Sequence, residues 1–495
     1  MVAWCLSASL RLLRRREKPL RCCPLRLQRK TLATAGRRIH SWQNHAENIA
    51  VMPSPQPTSN EVLSHQKPVA GSRALIEVLH LEKLRRLLRE ILPANKFYAR
   101  KLSALGNLLP LGSVADFVRL VPFTTKHELV RSQLEQPPYG TNLTYPLDRY
   151  TRCHQTSGST SSPMRWLDTP ESWDHLVANW TKILEAAGVT SRDRFLFAFS
   201  FGPFLGFWSA FEAALQRGCF CFPAGAMTSL GRLQAILDNG ITVLCCTPTY
   251  AQRLGEVARE KKLDLSRSRV RLIIVAGEAG GSVPAIRAAI ESLWPGATVF
   301  DHHGMTEVGP VTYQCPSRPG MLHVLENAYL PEVIDPQTGA AMAGGEIGEL
   351  VLTTLDRIGS PLLRYRTGDL VCPRARGACD CGRNDLVLEG GILGRSDDMV
   401  VVRGVNVFPT TIDELVRTVG GIAEYRVNLD CRSAMLEMSL DLEPSPDCHD
   451  PLALQQRLEQ SLQAALNLRV PVRLAARDSL PRFEMKALRW SKVTG

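Results

Sequence analysis

Apolar positions along the chain follow two alternating patterns that predict a layered fold. From Ala74 to Leu92, leucine and isoleucine recur at spacings of three and four, which predicts an amphipathic helix that ends near Pro93. Farther on, the continuous apolar runs "RFLFAFS", "ITVLCC" and "VRLIIVAG" predict buried strands, and "YAQRLGEVARE" and "PAIRAAIESLW" predict helices between and after them. Strands of this kind alternating with helices indicate an α/β domain with mostly parallel pairing.

The pattern changes near Gly390, and from Met399 onward it predicts strand, helix, strand, helix, strand. Apolar and polar residues alternate from Leu436 to Leu442, as in a half-buried strand, and a leucine recurs at every fourth position from Leu454 to Leu466, as on one helix face. We therefore expect three parts. They are a basic leader and polar linker that we expect to be disordered (1–60), a large α/β domain (61–391) and a small α+β domain (392–495), with a hinge in "GGILGRSDDM".

The basic charge of the chain is concentrated at its N-terminus. The formal net charge is +11, yet residues 1–40 alone contain eleven Lys and Arg and one acid. The basic excess is therefore weak evidence for nucleic-acid binding by the folded part. An Arg-rich, acid-poor segment resembles a mitochondrial transit peptide, but we favour an unstructured leader, or a true start at Met52, and hence a cytoplasmic protein.

Other classes of protein are disfavoured by composition. No run of eighteen apolar residues occurs, so we expect no membrane-spanning helix. The fourteen cysteines are scattered, unlike the framework of a small disulfide-bonded domain, and indicate a reduced intracellular compartment. The sequence leaves open whether the chain is a monomer or a homodimer.

A loop of hydroxyl side chains interrupts the first half of the chain. In "HQTSGSTSSPMRW", five Ser or Thr residues and Gly158 fill positions 156–161. Such residues are ordinary turn formers, but glycine also lets backbone N–H groups approach an anion closely, so a phosphate site is the sharper hypothesis. It is not a Walker loop, because the chain contains no Gly-Lys dipeptide.

Two further stretches offer carboxylates. "DHHGMTEVGP" follows the strand-like "GATVF", at the sheet edge where α/β proteins bind ligands, and Glu307 could hold Mg²⁺. In "YRTGDL" we expect a Gly-Asp turn that ends a strand, where Asp369 could accept both hydroxyls of a ribose or simply cap the turn. Arg395, at the domain boundary, could contact phosphate or ribose, or be a solvated hinge residue.

Two more groups of residues suggest ligands. Cys315, His323, Cys379 and Cys381 form a Cys₃His set, which is standard for tetrahedral zinc, although thiols without metal fit equally well and Cys372 is a competing ligand. The segment "FSFGPFLGFWSAFEAAL" carries six aromatic rings, which could line a pocket for an apolar acid or be plain core packing. These rings are Phe199, Phe201, Phe204, Phe207, Trp208 and Phe211.

Six stretches in order resemble the phenylacetate–coenzyme A ligases of the adenylate-forming, or acyl-CoA synthetase, superfamily. They are "PFTTKHEL", "TSGST", "DHHGMTEVGP", "YRTGDL", "GRSDDMVVVRGVNVFP" and "LPRFEMKALRW", and the match runs from about Leu81 to the C-terminus. The resemblance implies a large adenylation domain that binds ATP and Mg²⁺ and a small mobile lid domain. A small-molecule acid, which we expect to be an aryl or arylacetic acid, would form an acyl-adenylate and then a coenzyme A thioester.

The resemblance also implies roles for individual residues. Glu307, Arg395 and Lys486 would be catalytic, Glu307 also as the Mg²⁺ ligand. Arg403 and Gly404 would contact coenzyme A, and Asp397 would be the hinge. The nucleotide-binding residues would be Thr156, Ser157, Gly158, Ser159, Thr160, Gly277, Glu278, His303, Gly304, Thr306, Asp369 and Arg395.

The chain departs from the superfamily pattern at two places. The Gly-Lys that usually continues the phosphate loop is replaced by Ser161 and Ser162, and Arg165 is a candidate substitute for the missing charge. The usual aromatic residue before the glycine of the Mg²⁺ motif is His303, whose ring can still stack on adenine. Two alternatives stay open: an adenylating enzyme with an amine or carrier-protein acceptor, and a degenerate nucleotide-binding regulatory protein without ligase activity.

Overall fold

The computed structural model describes residues 73–106, 110–156, 163–375, 377, 379–403, 405–430, 436–483 and 487–493. All of them belong to one unit of the chain, Gln66–Gly495. The predicted leader and linker (1–60) therefore lie outside the described residues.

In the described part of the chain, four α-helices precede the first sheet: α1 (Arg73–Ala94), α2 (Lys96–Lys101), α3 (Val114–Leu120) and α4 (Lys126–Glu135). The predicted first helix is confirmed, and its apolar stripe is buried at Leu84, Leu87, Leu88 and Ile91. It ends at Ala94, one residue beyond Pro93.

A five-stranded parallel sheet forms the centre of the large domain. It follows a hairpin, β1 (Arg152–Gln155) and β2 (Arg165–Asp168), and its strand order is β4-β3-β5-β6-β7. In chain order its elements are α5 (Pro170–Ala186), β3 (Arg194–Phe197), α6 (Trp208–Gln216), β4 (Phe220–Pro223), α7 (Ser229–Asp238), β5 (Val243–Cys246), α8 (Pro248–Glu260), β6 (Leu272–Val275), α9 (Pro284–Leu293) and β7 (Thr298–Asp301). The predicted buried strands and the two predicted helices are therefore confirmed, as is the parallel pairing.

The two faces of this sheet are buried in different cores because successive side chains on a strand point to opposite sides. Phe195 and Phe197 of β3 pack in a core that includes Trp173 and Trp180 of α5. Leu196, between them, packs in the second core with helices α7, α8 and α9. Both faces are thus apolar, which explains the continuous apolar runs in the sequence.

A second, antiparallel sheet completes the large domain. It follows the short pair β8 (Gly304–Met305) and β9 (Gly309–Pro310), and its order is β10-β11-β15-β14-β13-β12. Its strands are β10 (Thr312–Gln314), β11 (Met321–Val324), β12 (Tyr329–Ile334), β13 (Gly348–Thr354), β14 (Tyr365–Pro373) and β15 (Val387–Arg395). β15 continues through Gly390–Arg395, so most of the segment predicted as a hinge is strand.

The small domain packs two helices on a four-stranded sheet of order β20-β19-β18-β21, with a separate hairpin before it. Its elements are β16 (Val400–Val402), β17 (Val405–Val407), α10 (Pro409–Val419), β18 (Ile422–Asp430), β19 (Glu437–Pro444), α11 (Pro451–Leu466), β20 (Val472–Leu474) and β21 (Trp490–Val493). The predicted strand after Leu436 and the leucine stripe of α11 are confirmed, since Met438, Leu440 and Leu442 pack with Leu454–Leu466 in one core. Among the described residues, no helix combines the length and hydropathy needed to cross a membrane.

Candidate nucleotide-binding site

The hydroxyl loop connects strands β1 and β2, which pair as a hairpin. Beyond the strands, the backbone N–H of Thr156 donates to the carbonyl of Met164 at 2.9 Å, and the Met164 N–H donates to Oγ1 of Thr156 at 3.0 Å. These bonds close the base of the loop. Ser157, Gly158, Ser159 and Thr160, together with Ser161 and Ser162, lie outside the described residues.

The candidate substitute for the loop's missing lysine is already bonded elsewhere. Nη1 of Arg165, on the exposed side of β2, donates to the carbonyl of Pro138 at 3.3 Å. The other donors of its guanidinium could still contact phosphate without breaking this bond.

The aromatic segment lies between this hairpin and the Mg²⁺ motif. The N–H of Gln155 donates to the carbonyl of Pro203 at 2.6 Å, and the N–H of Leu205 approaches Oγ1 of Thr306 at 3.5 Å. Of its rings, Phe199 and Phe207 are buried in the large core. The half-buried rings beside them are Phe201, Phe204, Trp208 and Phe211.

The adjacent histidines after β7 have different environments. His302 is buried against Trp180, with ring centroids 4.4 Å apart, and its Nδ1–H donates to the carbonyl of Thr312 at 2.7 Å. Burial lowers the pKa of His302 to about 3, so the ring is neutral. His302 is therefore a packing residue, whereas His303 points towards β14.

Two side chains, those of His303 and Arg395, donate hydrogen bonds to the carboxylate of Asp369. Nε2 of His303 donates to Oδ2 of Asp369 at 2.9 Å, and Nη1 of Arg395 donates to Oδ1 at 2.9 Å. Asp369 and Arg395 are also cross-strand partners on β14 and β15. Although burial opposes charge on Arg395, Asp369 and Asp397 raise the pKa of Arg395 above its ordinary value, so the guanidinium stays charged.

The prediction that the Gly-Asp pair of "YRTGDL" ends a strand as a turn is wrong. β14 runs through it to Pro373, and Gly368 instead adopts φ +78° inside the strand. A Cβ at Gly368 would lie 2.8 Å from Nη2 of Arg395. The left-handed backbone favours glycine here, and a larger residue would also have to displace the guanidinium.

Glu307 is buried next to β14. The hydroxyl of Tyr365, the first residue of that strand, donates to Oε1 of Glu307 at 2.8 Å. Burial first, and then the negative charge of Glu307, raise the pKa of Tyr365, so the phenol remains a donor. A carboxylate has about four acceptor positions, so one phenol leaves room for a hard cation, and these residues fit a Mg²⁺ site.

Glu307 lies in the short turn between β8 and β9, which pack closely against each other. A Cβ at Gly304 would lie 2.7 Å from the carbonyl oxygen of Gly309, so only glycine permits this approach of the two strands. Thr306 is anchored through its carbonyl, which accepts from Nη1 of Arg357 at 3.0 Å.

Sequence reasoning missed the support given by Arg357. Its guanidinium makes two 2.6 Å bonds to the buried carboxylate of Asp168, on β2. A bidentate pair of this kind links the hairpin of the hydroxyl loop to the Mg²⁺ motif. No clear sequence signal identified it, because Arg357 follows Asp356 in "LTTLDRIG" and could equally have been an exposed charged residue. Tyr365 was also missed, although it begins "YRTGDL".

Gly277 and Glu278 follow β6 at the carboxyl edge of the parallel sheet, and Gly277 has φ +94°. Oε1 of Glu278 accepts from the N–H of Thr249 at 2.7 Å, and Oε2 accepts from the N–H of Ala487, in the small domain, at 3.2 Å. Lys486 lies outside the described residues. Its neighbour Ala487 contacts Glu278, one of the predicted nucleotide-binding residues.

The remaining predicted residues lie on the connection between the domains. Asp397 accepts from Nε and Nη2 of Arg395 at 2.8 and 3.0 Å. Arg403 lies in the turn between β16 and β17 with φ +49° and pairs with Glu437 at 2.7 Å. Gly404 is outside the described residues. The structure thus gathers His303, Asp369, Arg395 and Asp397, and leaves Arg403 in a separate exposed pair.

The four predicted zinc ligands also come together. One ligand atom from each of Cys315, His323, Cys379 and Cys381 lies within 4.8 Å of all the others. Cys372, the competing candidate, is not part of this group and faces Glu389 across β14 and β15.

Comparison with known proteins identifies a family for both domains. Residues 154–354 match the family described as AMP-binding enzyme, and residues 404–491 match the AMP-binding enzyme C-terminal domain. A phenylacetate-coenzyme A ligase from Thermus thermophilus is 29% identical, over 84% of this chain and 96% of that protein.

Among solved structures, a 2-hydroxyisobutyryl-CoA ligase matches in two states at different levels. In its postadenylation state the TM-score is 0.80 at 28% identity, covering 86% of this chain and 91% of that chain. In its thioesterification state the TM-score is 0.65 at 29% identity, with the same coverage. The fold is that of an adenylate-forming protein, with a large adenylation domain and a C-terminal AMP-binding domain. The chain belongs to the AMP-binding enzymes.

Proposed function

We propose that this protein is an AMP-forming carboxylate–coenzyme A ligase. The observation that carries the proposal is the carboxylate of Asp369, held between His303 and Arg395 on the strand whose Tyr365 binds Glu307. This arrangement offers one carboxylate for ribose hydroxyls, one for a metal–phosphate group and a fixed cation between the domains. The relatives named for coenzyme A ligation support the choice of acceptor.

The first half-reaction joins two anions. A carboxylate oxygen of the acid attacks the α-phosphorus of ATP, and the bond from that phosphorus to pyrophosphate breaks. Positioning and positive charge dominate such a step. We assign ribose binding to Asp369 and Arg395, phosphate binding to Thr156–Thr160 and the approach to the α-phosphate to Lys486. The adenine wall comprises Gly277, Glu278, His303, Gly304 and Thr306.

Glu307 would hold Mg²⁺, which when bound neutralises charge on the phosphates. The Tyr365 hydroxyl fixes the rotamer of Glu307 through its 2.8 Å hydrogen bond. The ring of Tyr365 is itself buried, which keeps this donor in place.

The second half-reaction exchanges the acceptor. The sulfur of coenzyme A attacks the acyl carbonyl, the bond to AMP breaks, and AMP leaves. We propose that the small domain rotates about Asp397 between the steps, removing Lys486 and presenting Arg403 and Gly404 to the pantetheine. The contact between Ala487 and Glu278, and the higher TM-score with the postadenylation state, support an adenylation-like arrangement here.

For the acid, we propose an aryl or arylacetic substrate. The half-buried rings of Phe201 and Trp208 lie 4.8 Å apart. In sequence they flank Pro203, which contacts the hydroxyl-loop hairpin, and Leu205, which contacts Thr306, and we propose that the acid meets the α-phosphate beside this segment. Such rings favour an aromatic guest. The competing class is a short aliphatic hydroxy acid, since the structural relative is named as a 2-hydroxyisobutyryl-CoA ligase.

We also propose that the leader and linker end near residue 60 and that the large domain ends near residue 391.

Mass analysis of products, with and without coenzyme A, tests the function. With ATP, Mg²⁺ and an acid panel, we expect AMP in every productive reaction and an acyl-CoA thioester only when coenzyme A is present. An adenylate that passes only to an amine or a carrier thiol would establish the alternative acceptor. Nucleotide binding without any product would establish the regulatory alternative. Turnover confined to short aliphatic acids would refute the aryl assignment.

A further inference from the structure

We propose that Cys315, His323, Cys379 and Cys381 bind one structural Zn²⁺ ion. None of these four residues is a predicted nucleotide-binding residue, and the inference does not rest on the ligase activity. Three thiolates and one imidazole are a standard closed set for zinc, which takes four ligands tetrahedrally.

Two of the six distances between the ligand atoms are close to those of a tetrahedral zinc site, and the other four do not exceed 4.8 Å. Sγ of Cys315 lies 3.6 Å from Sγ of Cys379, and Sγ of Cys381 lies 3.4 Å from Nε2 of His323. Zn–S bonds of about 2.3 Å and Zn–N bonds of about 2.0–2.1 Å, at tetrahedral angles, separate neighbouring ligand atoms by about 3.5–3.8 Å. The same 3.6 Å is too long for a disulfide, whose sulfurs lie about 2.05 Å apart.

Local backbone geometry aims the ligands at one point. The Cys315 N–H donates to the carbonyl of Met321 at 2.8 Å, which closes the turn between β10 and β11. The Cys379 N–H donates to the carbonyl of Arg383 at 2.9 Å, and Gly382 in that turn has φ +81°. This second turn places the two sulfurs of a Cys-x-Cys pair on the same side.

Simple apolar packing explains this cluster less well. The sulfurs do pack with Val387 as a small core, and free cysteine is often buried. The ring of His323, however, is completely buried and stacks on Tyr313, with its Nε2 aimed at the sulfurs. A thiol is a weak partner for a buried ring nitrogen, whereas a metal ion satisfies that nitrogen fully.

The ion would join two loops at one end of the antiparallel sheet. Cys315 and His323 belong to the β10–β11 hairpin, and Cys379 and Cys381 lie between β14 and β15. Those last two strands carry Asp369 and Arg395. Zinc would thus fix the hairpin on which the ribose-binding pair sits, without touching the substrates.

Metal analysis of the full-length protein, purified without chelators or metal resins, tests the proposal. We expect about one zinc per chain in the wild type. The same content is expected in Cys372→Ser, which removes a nearby thiol outside the cluster. Cys379→Ser/Cys381→Ser should lose the bound zinc and melt at a lower temperature. Wild-type protein without zinc, or the double variant with full zinc, would overturn the proposal.

A spectroscopic readout covers the case in which the double variant does not fold. Wild-type protein stripped of metal and reloaded with Co²⁺ should show sulfur-to-cobalt charge-transfer bands and the strong visible bands of tetrahedral cobalt. Cobalt bound without charge-transfer bands would mean that the thiols are not ligands, and would equally overturn the assignment.

Discussion

The backbone N–H of Ala487, in the small domain, donates a hydrogen bond to Oε2 of Glu278, in the large domain, at 3.2 Å. The other carboxylate oxygen of Glu278 accepts from Thr249 at 2.7 Å, at the start of α8. One side chain therefore orders the edge of the parallel sheet and holds the chain immediately after Lys486.

Glu278→Ala should lower the rate of acyl-adenylate formation by about 10- to 100-fold, because a hydrogen bond to a charged group contributes about 1.5–3 kcal/mol. Thioester formation from preformed acyl-adenylate should fall less, since the contact with Ala487 belongs to the adenylation arrangement. Single-turnover kinetics of each half-reaction measure this. Glu135→Ala, at an exposed position of α4, is the control, and equal losses in both steps would refute the role.

Lys486→Ala should reduce acyl-adenylate formation by roughly 10²- to 10³-fold, the typical cost of one preorganised charge contact. It should largely spare thioester formation from preformed acyl-adenylate, because the proposed rotation of the small domain would carry Lys486 away. The matched control is Lys492→Ala, an exposed lysine on β21 of the same domain. If the two variants behave alike, the mobile lysine has no special role.

Asp369→Asn should raise the KM for ATP and lower kcat/KM by roughly 10- to 150-fold, since it removes charge-assisted bonds worth about 1.5–3 kcal/mol. The control is Asp441→Asn, because Asp441 also forms a cross-strand pair, with Arg426 at 2.9 Å, but in the small domain. Steady-state kinetics and the melting temperature of both variants separate binding from folding. A normal KM for ATP in Asp369→Asn would contradict the ribose assignment.

The neutral, buried ring of His302 should make the protein less stable in acid. Its folded pKa of about 3 lies below the ordinary value of 6.5, so between these values the unfolded chain binds more protons. The contribution of neutral His302 to the free energy of unfolding is therefore fully present above pH 6.5. It is lost as pH falls from 6.5 towards 3, by about 1.4 kcal/mol per pH unit.

Denaturant unfolding at several pH values in that window measures the effect of His302. His302→Asn, which keeps a donor near the Thr312 carbonyl, should show a shallower loss of stability in acid than the wild type. His127→Asn, at an exposed position of α4, should follow the wild-type slope. An unchanged slope in His302→Asn would show that His302 does not remain neutral in the folded protein.

The spacing of apolar residues predicted those helices and strands in which buried positions recur regularly along the sequence. The strands of the parallel sheet are apolar on both faces, and α11 buries one leucine stripe, so both were readable from the sequence. The six-stranded sheet was not, because strand formation depends more on the packing of each side chain in the fold than on a local sequence preference. The Gly368–Asp369 pair misled for a related reason, since Gly-Asp usually signals a turn but here lies inside a strand.

For the site, sequence order identified the motifs but not their contacts. The bond between His303 and Asp369 joins residues far apart in the chain, and the support of Glu307 by Tyr365 depends on the packing of β14. Three cysteines and one histidine could be grouped from residue type alone. Only the fold separates Cys372 from the cluster.

The central claim, that the protein activates a carboxylic acid with ATP, is tested most directly by acid-dependent exchange of labelled pyrophosphate into ATP without coenzyme A. Exchange requires reversible formation of the acyl-adenylate and does not depend on the acceptor. We predict that exchange needs both Mg²⁺ and an aryl or arylacetic acid. We also predict that Asp369→Asn strongly lowers the exchange rate. Absence of exchange with every acid tested, or ATP cleavage to ADP and phosphate, would contradict the account.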